Sequence, residues 1–240
     1  MHTLFISDLH LSADRPHITG IFLRFLRETA PQAEALYILG DLFDYWVGDD
    51  DLGDALHEEV TGALRALADG GVKIHFMHGN RDLLIAEKFA AASQAALLPD
   101  PTLIHLYGTP TLLTHGDALC TDDTAYQAFR AQVRNPEVQR QFLARPLAQR
   151  RQEIAQMRAA SEAEKRHKTA EIMDVNDDAV KTLLREYGYP RLIHGHTHRP
   201  GCTVYQLDGH ACERWVMGEW GARGNALRCE RNACRAIEFD

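Results

Sequence analysis

The sequence predicts an α/β (α+β) fold with two packed β-sheets flanked by helices (αββα), and a helical lid inserted into a single domain spanning 1–240. Three observations carry this expectation. Short aliphatic runs alternate with stretches of helical period from the N-terminus onward. The C-terminal quarter instead carries hairpin signals. Between them, residues 122–170 break the rhythm with a long segment rich in Arg and Gln.

The strand-like runs are LFIS (4–7), ALYIL (35–39), VKIHFM (72–77), TLLT (111–114) and RLIH (191–194). In ITGIFLRFLRETA, Ile18, Ile21, Phe22, Phe25 and Leu26 recur at the spacing of one buried helix face. Residues 54–69 read as a helix closed by Gly70-Gly71, and Asn176 as the N-cap of a helix ending near Gly188. CTVYQLDGHACERWVMG alternates around Asp208-Gly209, a hairpin signal, and LRCERNACRAIEF forms a second hairpin turning near Asn232. In the insertion, Phe129, Val133, Phe142, Leu143, Leu147, Ile154 and Met157 supply apolar positions, and Pro136 and Pro146 divide it into two or three helices.

Composition is that of a globular protein, and no apolar run approaches the length of a membrane span. Met1 leads directly into a strand with no signal peptide, so a cytoplasmic location is the expectation. Cys120, Cys202, Cys212, Cys229 and Cys234 are odd in number and scattered, and all five are read as free thiols. The net charge of −8 disfavours nonspecific nucleic-acid binding. Its distribution is uneven: residues 130–168 carry an excess of six positive charges, leaving −14 on the rest, a basic module on an acidic body. No repeat and no sign of an obligate protein partner is present.

The chemistry lies where these strands end. They run into Asp8-x-His10, Gly40-Asp41, Gly79-Asn80-Arg81-Asp82, His115-Gly116-Asp117 and Gly195-His196-Thr197-His198. The crevice at the carboxyl ends of strands is where α/β sheets bind ligands. Carboxylate, imidazole and amide oxygen donors without thiolate suit manganese, iron or zinc. Seven donors crowd one ion but suit two, about 3.5–4 Å apart, an arrangement that activates water and braces an in-line displacement at phosphorus. Each short motif is weak alone; the ordered set is specific. His17, His57, His105, His167 and His210 are read as structural, and His75 and His194 as strand residues or supports behind the site. Asp82 and Asp117 either orient ligating histidines or organise loops. The run Asp49-Asp50-Asp51 is read as a solvated loop.

These blocks resemble those of the calcineurin-like metallophosphoesterases: D-x-H, G-D, G-N-H-D/E, H and G-H-x-H. Arg81 departs from the pattern, standing where the superfamily usually has a histidine that assists a poor leaving group. Arginine does not deprotonate and so cannot act as an acid, but it clamps phosphate bidentately, which favours an anhydride whose leaving phosphate needs no acid. FISDLHLS, LYILGDLFDYWVGDDD, HGNRDLL, LTHGDALCTDDTAYQAFR, IMDVN and LIHGHTHRP are similar to one family within the superfamily, the UDP-2,3-diacylglucosamine hydrolases of lipid A biosynthesis in Gram-negative bacteria.

That resemblance implies hydrolysis of the diphosphate of UDP-2,3-diacylglucosamine to UMP and 2,3-diacylglucosamine 1-phosphate (lipid X), by water attacking the phosphorus attached to uridine. It implies two Mn2+ ions, one held by Asp8, His10, Asp41 and His198, the other by Asp41, Asn80, His115 and His196. Asp41, Arg81 and His115 carry catalytic roles, and Asn80, Arg81, Asp123, Ser161, Lys165, Lys168 and His196 contact substrate. Lys165 departs from the asparagine this family has there. The expected partners are the UDP-linked diacylated glucosamine and the cytoplasmic face of the inner membrane, where the protein would sit peripherally. The insertion suits this reading, offering an apolar groove for acyl chains and positive charge for diphosphate and membrane. The alternatives are a general phosphodiesterase or nuclease of the superfamily, for which the acidic body is unfavourable, and a noncatalytic metal-binding or membrane-scaffold protein, which would be expected to lose ligands.

Overall fold

A computed structural model describes residues 1–165 and 174–240, with only the helical backbone described for 160–165. The expected runs form strands, and β4 and β5 join them unannounced: β1 (Thr3–Ile6), β2 (Ala35–Leu39), β3 (Lys73–Met77), β4 (Ala95–Leu98), β5 (Thr102–Leu106), β6 (Thr109–Thr114), β7 (Arg191–His194), β8 (Gly201–Leu207), β9 (His210–Val216), β10 (Gly224–Cys229) and β11 (Cys234–Phe239). The helices are α1 (Pro16–Glu28), α2 (Ala55–Asp69), α3 (Glu87–Ser93), α4 (Thr124–Val133), α5 (Pro136–Leu143), α6 (Leu147–Lys165) and α7 (Asp177–Glu186).

One sheet has the order β11-β10-β1-β2-β3-β4 and the other β5-β6-β7-β9-β8. Within the first, β1 to β4 run parallel; within the second, β6, β7 and β9 do. Alternation along each strand builds the layers. Leu4 and Ile6 of β1 pack outward with α1 and α2, while Phe5 faces inward. Ile193 of β7 meets it in the core between the sheets, with Leu39, Met77, Leu113 and Leu227. Leu192 and Leu112 face the other way, onto Val180 and Leu184 of α7. Helices therefore cover the outer face of each sheet, as the αββα expectation requires.

The Asp208-Gly209 and Asn232 turns form hairpins as expected, with Asp208 (φ 53°) and Gly209 (φ 86°) both left-handed. The second hairpin overturns one expectation. Its register sets Cys229 opposite Cys234, and the two form a disulfide, leaving Cys120, Cys202 and Cys212 as the free thiols. The acidic run also differs from expectation. Asp49 accepts hydrogen bonds from the backbone N–H groups of Ala86 (3.0 Å), Lys88 (2.8 Å) and Phe89 (3.2 Å) at the start of α3. Asp50 and Asp51 receive the lid.

The insertion is three helices, α4 to α6, divided at Pro136 and Pro146. Its arginines do not simply face water. Arg150, 1% exposed, donates to the Val47 carbonyl and to Asp50; Arg151 pairs with Asp51, Arg158 with Asp44, and Arg130 (2.8 Å) and Arg134 (3.4 Å) with Asp117. Arg140 and Arg145 pair within the lid, with Glu137 and Glu153. The positive lid is thus matched to the negative body it sits on. Its stem is closed by hydrogen bonds from Asn176 N–H to the Leu119 carbonyl (2.8 Å) and from Asn176 Nδ2 to Asp122 (2.9 Å).

Candidate metal centre at the strand ends

The loops leaving β1, β2, β3, β6 and β7 bring all seven expected donors together. Gly40 is one reason the loops can close so tightly: at φ 90°, a Cβ there would lie 2.5 Å from Gly79 Cα and 2.6 Å from His115 Nδ1. Backbone strain concentrates at the donors themselves. Asp8, His10, Asp41, His196 and His198 all have left-handed φ, between 50° and 67°.

Asp8 Oδ2 accepts the His196 N–H (2.9 Å) and the Ser7 hydroxyl. Its Oδ1 faces His198 Nε2 at 3.3 Å. Asp41 lies between two imidazoles, with Oδ2 3.8 Å from His10 Nδ1 and Oδ1 3.9 Å from His115 Nε2. His115 is aimed by its other nitrogen, which lies 2.9 Å from the Leu39 carbonyl and donates to it, leaving Nε2 toward Asn80 Oδ1 (3.1 Å). The His196 ring sits 5.0 Å from that of His115 and stacks on Tyr126 at 5.8 Å. Two subsets, Asp8/His10/His198 and Asp8/Asp41/His115, each have ligand atoms within 4.8 Å of one another.

The charges of this cluster conflict when it stands alone. Burial pushes the Asp41 carboxyl up to about 7 and drives His10 and His196 down to about 3. For His115 and His198 burial opposes protonation, but Asp41 and Asp8 around the first, and Asp8 and Glu219 around the second, outweigh it and raise both to about 9. Asp8 Oδ1 and His10 Nδ1 are buried without a hydrogen-bond partner. Buried donors converging on one space, all oxygen or imidazole nitrogen and two of them without a hydrogen bond, fit divalent cations.

The other candidates are placed as follows. Arg81 donates its N–H to Asp41 Oδ1 (2.8 Å), and its guanidinium lies 3.6 Å from Asp44. Asp123 caps α4 through Tyr126 N–H (3.0 Å) at the lid stem. The side chains of Ser161 and Lys165, and all of His167 and Lys168, lie outside the described residues. Asp82 organises loops, accepting the N–H groups of Gly79 (2.8 Å), Leu42 (2.8 Å) and Asp41 (3.3 Å). Asp117 anchors the lid, through Tyr126 Oη (3.1 Å), Arg130 and Arg134. His194 supports the site from behind: its Nδ1 lies 2.8 Å from the Gly195 carbonyl and donates to it, while Arg214 Nε donates to its Nε2 (2.9 Å).

Sequence reasoning missed Glu219, whose Oε2 lies 3.1 Å from His198 Nδ1. The signal was present. Gly218-Glu219 follows β9 as Gly40-Asp41 follows β2, a strand end running through glycine into a donor.

Residues 1–200 match the calcineurin-like phosphoesterase family. The chain is 54% identical over 220 residues to a UDP-2,3-diacylglucosamine hydrolase of Aromatoleum aromaticum, covering 92% of this chain and 89% of that one. It is 52% identical to the protein of that name from Xanthomonas axonopodis pv. citri, covering 96% of each, and 48% identical to that of Serratia proteamaculans, covering 100% and 99%. Among solved structures, a novel archaeal phosphodiesterase superposes with a TM-score of 0.50 at 13% identity over the whole of both chains, a likeness of fold.

Proposed function

The chain belongs to the UDP-2,3-diacylglucosamine hydrolases within the calcineurin-like phosphoesterase family, and from that membership we propose that it hydrolyses the diphosphate of UDP-2,3-diacylglucosamine to UMP and 2,3-diacylglucosamine 1-phosphate, a step of lipid A biosynthesis. Asp8, His10, Asp41, Asn80, His115, His196 and His198 hold two divalent ions, Mn2+ by family resemblance. The observation that carries this reading is the convergence of these donors, with Asp8 Oδ1 and His10 Nδ1 buried without a hydrogen-bond partner. When bound, such ions acidify the attacking water and stabilise charge on the phosphoryl oxygens.

The chain's own groups do the rest. The Arg81 guanidinium, beside Asp44, clamps phosphate without acting as a general acid, which suits a leaving phosphate. Asn80 and His196 serve both ion and substrate. Asp123, Ser161 and Lys168 contact the substrate by resemblance, with Lys165 standing beside them where the family has asparagine. Phe129, Leu143 and Met157 are exposed on the lid at 43%, 41% and 41%, and support acyl-chain binding there and peripheral docking on the inner membrane's cytoplasmic face. Every arginine from Arg130 to Arg158 is ion-paired, so over this described part of the lid docking leans on these apolar side chains more than on charge. No helix among the described residues is long and apolar enough to cross a membrane.

Hydrolysis of the UDP-lipid in 18O-labelled water tests the assignment. Label is expected in UMP; label in the sugar phosphate would place the attack on the other phosphorus. Faster turnover of simple phosphodiesters than of the UDP-lipid would favour the general phosphodiesterase reading.

A further inference from the structure

His198 is held from both sides. Its Nε2 faces Asp8 Oδ1 at 3.3 Å, and its Nδ1 meets Glu219 Oε2 at 3.1 Å. Glu219 is not an accident of a mobile loop. The next residue, Trp220, is 1% exposed, packs edge-on against Phe22 and Phe25, and donates its backbone N–H to the Asp8 carbonyl (3.1 Å). Asn225 Nδ2 donates to the Glu219 carbonyl at 3.1 Å. Arg15 completes the arrangement: Nη1 lies 3.6 Å from Glu219 Oε1, and Nη2 donates to the His10 carbonyl at 2.6 Å. One carboxylate and one guanidinium thereby tie together the two histidines of the Asp8/His10/His198 group, whose rings are 5.5 Å apart.

An imidazole ligates through the nitrogen that has no proton, and the bond made by its other nitrogen decides which one that is. A carboxylate accepting Nδ1–H fixes the tautomer, orients the ring and strengthens it as a ligand. We propose that Glu219 is a positioning residue of the metal centre: it accepts Nδ1–H of His198 so that Nε2 points at the ion shared with Asp8 and His10, with Arg15 holding Glu219 in place. This rests on the two-ion reading above.

The test measures Mn2+ binding to metal-stripped protein by titration calorimetry and chelator competition, for wild type, Glu219→Ala, Glu219→Gln and Arg15→Gln. Wild type failing to bind two ions would defeat the two-ion reading itself, separately from this proposal. With two ions bound by wild type, Glu219→Ala is expected to weaken one of them about 10–100-fold and spare the other. Glu219→Gln, whose amide oxygen still accepts Nδ1–H, should recover most of that loss, and Arg15→Gln should weaken the same ion to a lesser degree. Wild-type affinity for both ions in Glu219→Ala, or an equal loss at both, would overturn the proposal. Should Glu219→Ala not fold, the other two variants decide it: a near-normal Gln variant with a one-ion defect in Arg15→Gln supports it, and the converse overturns it.

Discussion

At the scale of the residue, the donors are held in backbone conformations that side chains resist. A left-handed non-glycine residue costs roughly 1–2 kcal/mol, and five of the seven proposed ligands adopt one. In metal-free protein His198→Gly should therefore be more stable than His198→Ala by about 1 kcal/mol, since only glycine relieves the strain at φ 54°, while both variants lose activity. Thermal unfolding of the two variants measures the difference. Asp41→Ala should lower turnover on the order of 10³-fold or more, because its two oxygens face both halves of the cluster. Thiol reactivity is a third readout. Cys202 is exposed, whereas Cys212 is buried and burial pushes the buried Cys120 thiol up to about 12, so alkylation of the native chain should fall on Cys202. All seven proposed ligands were legible in the sequence because donors at consecutive strand ends form a pattern. Glu219 obeyed the same rule but stood alone, without a second donor to draw attention to it. Asp49, Asp50 and Asp51 were misread because a run of acids shows its partners only once Arg150, Arg151 and the N-terminus of α3 are folded against it.

Among the elements, the lid was the most legible, since proline at 136 and 146 fixes where helices begin. The strands β4 and β5 were not foreseen. AALL follows the alanine-rich α3 without a β-branched residue, and TLIHL is too short to declare a period. The disulfide escaped because the pairing of Cys229 with Cys234 is a matter of hairpin register, which counting cysteines does not supply. The lid's docking has a clear centre in Arg150. Arg150→Ala removes the partner of the Val47 carbonyl and of Asp50, at a cost of about 1–3 kcal/mol. Because the core is untouched, α6 should become the first site of limited proteolysis, and KM for the diacylated substrate should rise more than kcat falls.

For the molecule as a whole, the acid side of stability is set partly by a buried histidine. Burial, aided by the Arg214 charge, lowers His194 from 6.5 to about 4. The folded state therefore keeps it neutral where the unfolded chain would protonate it. The stabilisation is fully present above pH 6.5, declines as pH falls, and is exhausted near pH 4. Metal-free protein should lose stability through that window, and His194→Gln should flatten the slope in denaturant titrations at successive pH values. The layered architecture was legible because period-two runs alternated with helical ones; the charge complementarity of lid and body was visible only as an imbalance, its purpose hidden until the two were set face to face.

The closed stem of the lid has a consequence for exchange between proteins. Asn176 joins the chain leaving the insertion to Leu119 and Asp122, where it enters, so the two ends are neighbours although more than fifty positions separate them. Neither β6 nor β7 depends on the lid for its pairing. The insertion can be treated as a cassette: a short turn spliced across the stem is expected to leave β6 and β7 paired, giving a phosphohydrolase core onto which a different cap could be grafted.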